Sequence, residues 1–225
     1  LKLKMHSDEI ESIGGAELAA ELKCVSADHL GSASEAGIMA MQKAGVIPVL
    51  LPATLFSLQS KKYANAQLMM ELNLPVAIAT DFNPGSCNCD SMQLTMSLAC
   101  LQMGLTPSAA LCAATLNAAF AIDRGKKIGS LEQDKQADII LWDIPDLNFI
   151  PYHLGSSYIS SVLKNGKIIY KATKMADISL NSYQIIKTVN SSLRFSIYQA
   201  KQIETGNIVL IKNPDAQRTN DEGLK

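Results

Sequence analysis

Along the first 122 residues the apolar positions fall into two alternating patterns. LKLKMH (1–6), CVSADH (24–29), VIPVLLP (46–52) and PVAIATD (75–81) are short runs that predict strands. Between them SIGGAELAAEL (12–22), SEAGIMAMQKAG (34–45), YANAQLMMEL (63–72) and SMQLTMSLACLQMG (91–104) predict helices. Ser34 with Gly37 and Gly45 brackets one of these, and Thr106-Pro107 supplies the N-cap and first-turn start of a further helix over 106–122. Four β-α units of about 25 residues each predict an α/β fold with parallel strands buried by helices. The strands are mostly continuous apolar runs, as expected when both faces are covered.

The texture changes at Gly125. ADIILWD (137–143) predicts a compact strand after a turn-rich start, and SSVLKNGKIIYK (160–171) a hairpin with Asn165-Gly166 as its two-residue turn. This is a small β element rather than another β-α unit. Past Ala172 the pattern weakens, and in the polar ending NPDAQRTNDEGLK the last 12 or so residues are expected to be disordered.

Composition narrows the possible partners. The chain has 225 residues, 48% of them hydrophobic, and a net charge of −1, which suits a sizeable core. Without a basic stripe or an aromatic platform, no nucleic-acid partner is expected. No apolar run reaches the roughly 18–20 residues of a membrane helix. Five cysteines, an odd number set mostly in apolar segments, fit reduced thiols and a cytoplasmic location. Cys87-Asn88-Cys89 has no second Cys/His pair at zinc-finger spacing, so no cysteine metal site is expected. The chain opens on charged LKLKMHSDEI without a methionine, which leads us to expect no signal peptide and a further segment upstream.

In a parallel β-α barrel the active site lies at the C-terminal ends of the strands. Those ends offer His6 with Asp8 and Glu9 behind it, then Asp28 and His29, then Pro52, Ala53 and Thr54, then Asp81. The third group is chemically mute. Two of the three histidines stand at equivalent ends of successive units, with a carboxylate two strands later. Imidazole and carboxylate on one rim are the donors a borderline divalent metal needs. Taken singly, Asp81 reads equally as a turn residue, Glu9 as a solvated helix start and His153 as structural. Asn83-Pro84-Gly85-Ser86 reads either as a plain turn or as a ligand loop presenting an amide, an N–H and a hydroxyl to a substrate carboxylate.

KMHSDE (4–9), SADHL (26–30), VLLPATLF (49–56), ATDFNPGS (79–86), TLNAAFAI (115–122), KQADIILWD (135–143) and IPYH (150–153) resemble, in the same order, segments of the imidazolonepropionases of the amidohydrolase superfamily. The resemblance covers residues 1–172. It implies the C-terminal half of a (β/α)8 TIM-type barrel over 1–124, equivalent to strands five to eight, and part of a small β-sandwich over 125–172; residues 173–225 would be a divergent tail. The implied enzyme is a metal-dependent hydrolase of histidine degradation, cytoplasmic and homodimeric, opening the ring of 4-imidazolone-5-propanoate to N-formimino-L-glutamate with one divalent metal, zinc or iron. By position, His6 resembles a metal ligand and Asp81 both a metal ligand and the proton acceptor. Glu9 looks like the residue that contacts the ring and helps activate water, and His29 like the one that polarises the ring carbonyl. Asn83, Gly85 and Ser86 look like the loop that holds the propionate side and the product. The family's His-x-His pair belongs to the other half, and no such pair occurs in these 225 residues. The piece alone is therefore expected to be inactive, with open strand edges that invite another chain. The competing readings are another cyclic-amide hydrolase or deaminase of the superfamily, or a non-catalytic remnant or oligomerisation partner.

Overall fold

A computed structural model describes residues 2–172, 182–191 and 195–214. The chain divides into two compact units, Leu1–Ala172 and Thr173–Lys225.

In the first unit the four short apolar runs become β1 (Lys4–Ser7), β2 (Ser26–His29), β3 (Ile47–Leu50) and β4 (Ala77–Ile78), pairing in parallel in the order β1-β2-β3-β4. The connections are helical, as parallel neighbours require: α1 (Gly15–Glu21), α2 (Glu35–Ala44), then α3 (Pro52–Ser57) and α4 (Ala66–Glu71) in succession. After β4 come α5 (Met92–Met103), α6 (Pro107–Cys112), a π-helical turn (Ala113–Asn117) and α7 (Ala118–Ala121). Ser34, Ser91 and Thr106 each accept a backbone N–H two or three residues into the following helix. Where one helix is predicted over 106–122, the π turn interrupts it. Thr115 Oγ1 there donates back to the Leu111 carbonyl at 2.7 Å. The predicted strand 75–81 shortens to two residues, for β4 is an edge strand laddered on one side only.

Register decides which side chains share a face. Lys4, Ser26 and Ile47 lie level, as do His6, Asp28, Val49 and Ala77, and alternation puts both rows on one side of the sheet. The other side, with Met5, Ala27, Leu50 and Ile78, joins the main core with Ala16, Ile38, Met41, Met69 and Met96. On the first side α7 covers β3 and β4 through Ala118 and Ala121, packed against Ile47, Val49, Leu51 and Ala77. Over β1 and β2 that same side is polar, with Lys4 Nζ 3.5 Å from Asp28 Oδ1.

β5 (Ile139–Trp142), β6 (Ile159–Lys164) and β7 (Lys167–Lys171) form an antiparallel sheet, with Asn165-Gly166 as the predicted turn. A short helix, α8 (Phe149–Tyr152), lies between β5 and β6. His153, just after it, stacks on Phe149 with ring centroids 3.8 Å apart.

The second unit differs from its weak pattern. β8 (Tyr183–Ser191), β9 (Phe195–Gln202) and β10 (Ile208–Pro214) make an antiparallel sheet in the order β10-β9-β8. Nearly every residue of β8 is exposed, Ile185, Ile186 and Val189 included, so no inner face imposes the alternation that would have announced it. The ending expected to be disordered lies, from residue 215 on, outside the described residues.

Candidate functional site

The candidate residues gather at the C-terminal ends of the parallel strands, and the backbone there departs from ordinary strand geometry. Asp8 (φ 47°), His29 (φ 75°), Leu30 (φ 60°) and Asp81 (φ 52°) are all left-handed without being glycine. Such conformations persist only where surrounding contacts hold them; Lys23, Gln59, Asn73 and Asp123 adopt them too, at the ends of helices.

At His29 the consequence is direct. In a regular pleat His29 would face away from His6, since it is level with Ser7. The left-handed turn breaks the alternation, and His29 Nε2 comes to 2.8 Å from His6 Nδ1. His29 is buried at 5% exposure, with its Nδ1 3.6 Å from Glu9 Oε1. Electrostatics selects the tautomers. A His6 Nδ1–H donated to His29 Nε2 leaves the His29 Nδ1–H facing the Glu9 carboxylate; the reverse would set a lone pair against that carboxylate. The preferred pairing leaves the His6 Nε2 lone pair free.

The loops after β1 and β2 are laced together. Leu30 N–H donates to Ser7 O at 2.9 Å, Ser32 N–H to Asp8 O at 2.8 Å, and Ser32 Oγ–H to Ile10 O at 2.7 Å. Gly31 is required at this crossing, because a Cβ there would stand 2.8 Å from the Glu9 carbonyl oxygen. The Asp8 carboxylate, 4% exposed, accepts the N–H groups of Ile13 (2.9 Å), Gly15 (3.1 Å) and Ala16 (2.8 Å). Asp8 therefore builds the loop that carries Glu9.

Asp81 lies after β4, and Thr54 Oγ1–H donates to its Oδ2 at 2.7 Å. Asn83 shapes the turn that follows. Its Oδ1 accepts the N–H groups of Gly85 and Ser86, each at 2.8 Å, and its Nδ2 donates to Asp81 O (2.8 Å) and Ser86 Oγ (3.1 Å). The amide, the N–H and the hydroxyl that sequence reasoning offered to a ligand are thus engaged within the turn in this conformation. Thr54 is what the sequence reading missed: it is not mute. No spacing signals it, because the bond joins residues on successive β-α units.

His6 and Asp81 are two donors at the same edge, short of the three protein ligands that catalytic zinc ordinarily has. Among the described residues no group of three or more His, Cys, Asp or Glu is placed to hold a metal ion. The residues present do not by themselves fit a metal centre. The arrangement sets the Glu9 carboxylate, His29 and His6 in a row, and among the described residues it leaves the second oxygen of Asp81 without a hydrogen bond.

Comparison with known proteins bears on the same residues. Residues 5–169 match the amidohydrolase family. Over 168 residues the chain is 53% identical to the imidazolonepropionase of Alkaliphilus oremlandii (strain OhILAs), covering 75% of this chain and 40% of that protein. Over 169 residues it is 48% identical to the imidazolonepropionase of Alkaliphilus metalliredigens (strain QYMF), covering 75% and 40%. Among solved structures it resembles an adenosine deaminase of Xanthomonas campestris with bound zinc, at a TM-score of 0.65 and 25% identity over 75% of this chain and 45% of that one. The chain thus spans about 40% of the length of the curated relatives it matches.

Proposed function

The chain belongs to the amidohydrolase family, and on that premise we propose that it is a portion of an imidazolonepropionase. The supporting observation is the 53% identity to such an enzyme over 168 residues, and the family match over residues 5–169 takes in every candidate site residue. The four parallel β-α units then serve as the C-terminal half of a (β/α)8 barrel, with β5–β7 as part of a small β-sandwich beside it. The substrate is 4-imidazolone-5-propanoate, and the reaction adds water to the ring carbonyl carbon and breaks its bond to the ring nitrogen, giving N-formimino-L-glutamate. Asp81 takes a proton from the attacking water and returns it to the leaving nitrogen, so base and acid are one group. His29 stabilises the charge developing on the carbonyl oxygen. Glu9, held against His29, contacts the ring and helps to activate water, and the Asn83–Ser86 turn borders the propionate side. One divalent metal, zinc or iron, would be held by His6 and Asp81 together with ligands from outside these 225 residues.

The test is turnover of imidazolone-propanoate by the protein expressed from the complete reading frame that encodes this chain. Ring opening is expected, falling roughly 10²–10⁴-fold in Asp81→Asn and in His29→Asn. A complete protein that leaves the ring intact, or an Asp81→Asn variant as active as the wild type, would refute the proposal.

A further inference from the structure

Thr54 is fully buried at 0% exposure, on the first turn of α3. A buried hydroxyl needs a partner, and the nearest supply for a helical threonine is the carbonyl four residues earlier. Thr95 and Thr115 both take that option, donating to Ser91 O at 3.0 Å and Leu111 O at 2.7 Å. For Thr54 that carbonyl belongs to Leu50 in β3, where it accepts the Ala79 N–H at 3.2 Å, and the hydroxyl reaches instead to a carboxylate 27 residues away, Asp81 Oδ2.

The rest of α3 supports the same loop. Ser57 Oγ lies 3.9 Å from Cys87 Sγ, and Cys87, 1% exposed, packs with Ala53 and Leu98. The other restraints on Asp81 act on its backbone: the left-handed φ of 52° and the bond from Asn83 Nδ2 to its carbonyl oxygen. Among the described residues only the Thr54 hydroxyl bonds the carboxylate itself. Among the described residues Oδ1 accepts no hydrogen bond, so one oxygen is anchored and the other is left to act.

We propose that Thr54 is the positioning residue for Asp81, holding Oδ2 so that Oδ1 is aimed at the reacting water; this rests on the function proposed above. Misplacement of a reacting group by about 1 Å costs up to roughly 100-fold in rate. In the protein from the complete reading frame, Thr54→Val, which keeps the shape and loses the donor, should lower kcat roughly 10–100-fold with KM changed by less than about twofold. Thr54→Ser keeps the donor and should stay within about threefold of wild type. Crystal structures of wild type and Thr54→Val should show the Asp81 carboxylate turned out of its Thr54-bound orientation in the variant. Thr54→Ala replaces Thr54→Val if the latter does not fold. Unchanged kcat in the donor-less variant, equal losses in Ser and Val, or an unmoved Asp81 would overturn the inference. If the wild-type protein fails to open the ring, the proposed function falls, while the orientation of Asp81 in the two crystals still decides the role of Thr54.

Discussion

Asp8 and Glu9 are adjacent carboxylates with opposite fates. The first is consumed by three backbone N–H groups; the second remains one-third exposed beside His29. Removing the acceptor leaves N–H groups without a partner, so Asp8→Ala should cost about 2–4 kcal/mol in denaturant unfolding and free the loop that carries Glu9. Glu9→Ala takes the carboxylate away from the buried His29 and should cost less than Asp8→Ala, about 0.5–1 kcal/mol. Asn83 permits a finer test, because Asn83→Asp keeps the acceptor for the Gly85 and Ser86 N–H groups and loses only the Nδ2 donors. The Asp variant should melt closer to wild type than Asn83→Ala does, a difference that thermal unfolding followed by circular dichroism measures. Residue type and position alone single out His6, His29 and Asp81, since each ends an apolar run. The same reasoning cannot separate Asp8 from Glu9, nor raise Thr54 above Pro52 and Ala53. Those distinctions depend on which backbone amides and carboxylates the chain brings within reach.

Among the elements, the helix pair α1–α2 depends on one missing side chain. A Cβ on Gly37 would stand 2.7 Å from Ala16 Cβ and 2.9 Å from the Glu17 carboxylate, which itself accepts the Ser34 hydroxyl at 2.6 Å. Gly37→Ala should therefore force the helices apart and cost about 1–3 kcal/mol by chemical denaturation. The β5–β7 sheet carries a different sensitivity. The Asp138 carboxylate accepts both bonds of the Gln136 amide at 2.9 Å, pairs with Lys164 and accepts the Asn165 N–H at 2.8 Å. These contacts, that of Gln136 first, hold its pKa at about 2, below the ordinary 3.8. A carboxyl with a depressed folded pKa contributes stability above its unfolded value and loses it as pH falls through the folded one. Between about pH 4 and pH 2 the hairpin signals in NMR spectra should weaken in the wild type, and Asp138→Asn should abolish that pH dependence. Most elements of the first unit are legible because a strand or helix there buries a face, which leaves a period in the sequence. The π turn is not, since its cause is a local rearrangement of backbone bonds. β8 is not either, because a strand exposed over nearly its whole length carries no alternation.

At the scale of the whole molecule, the incomplete donor set makes a prediction about metal. The 225-residue chain by itself should hold less than one equivalent of zinc or iron by elemental analysis, and a chelator should leave its melting temperature unchanged. Stoichiometric metal that survives dialysis would show that His6 and Asp81 find a third ligand within this chain. No described helix is long and apolar enough to cross a membrane. By itself the sequence determined the alternation of strand and helix over the first unit, the hairpin at Asn165-Gly166, and the placing of two histidines and an aspartate at strand ends. These are local properties, written in hydrophobic period, capping residues and turn chemistry. Only the tertiary structure decided that His29 turns back to His6, that Asp8 is a structural acceptor, that Asn83 closes its own turn and that Thr54 anchors Asp81. Each of these depends on a hydrogen bond or a left-handed backbone angle fixed by neighbours distant in sequence, or by the fold of a loop, and a one-dimensional pattern has no term for either.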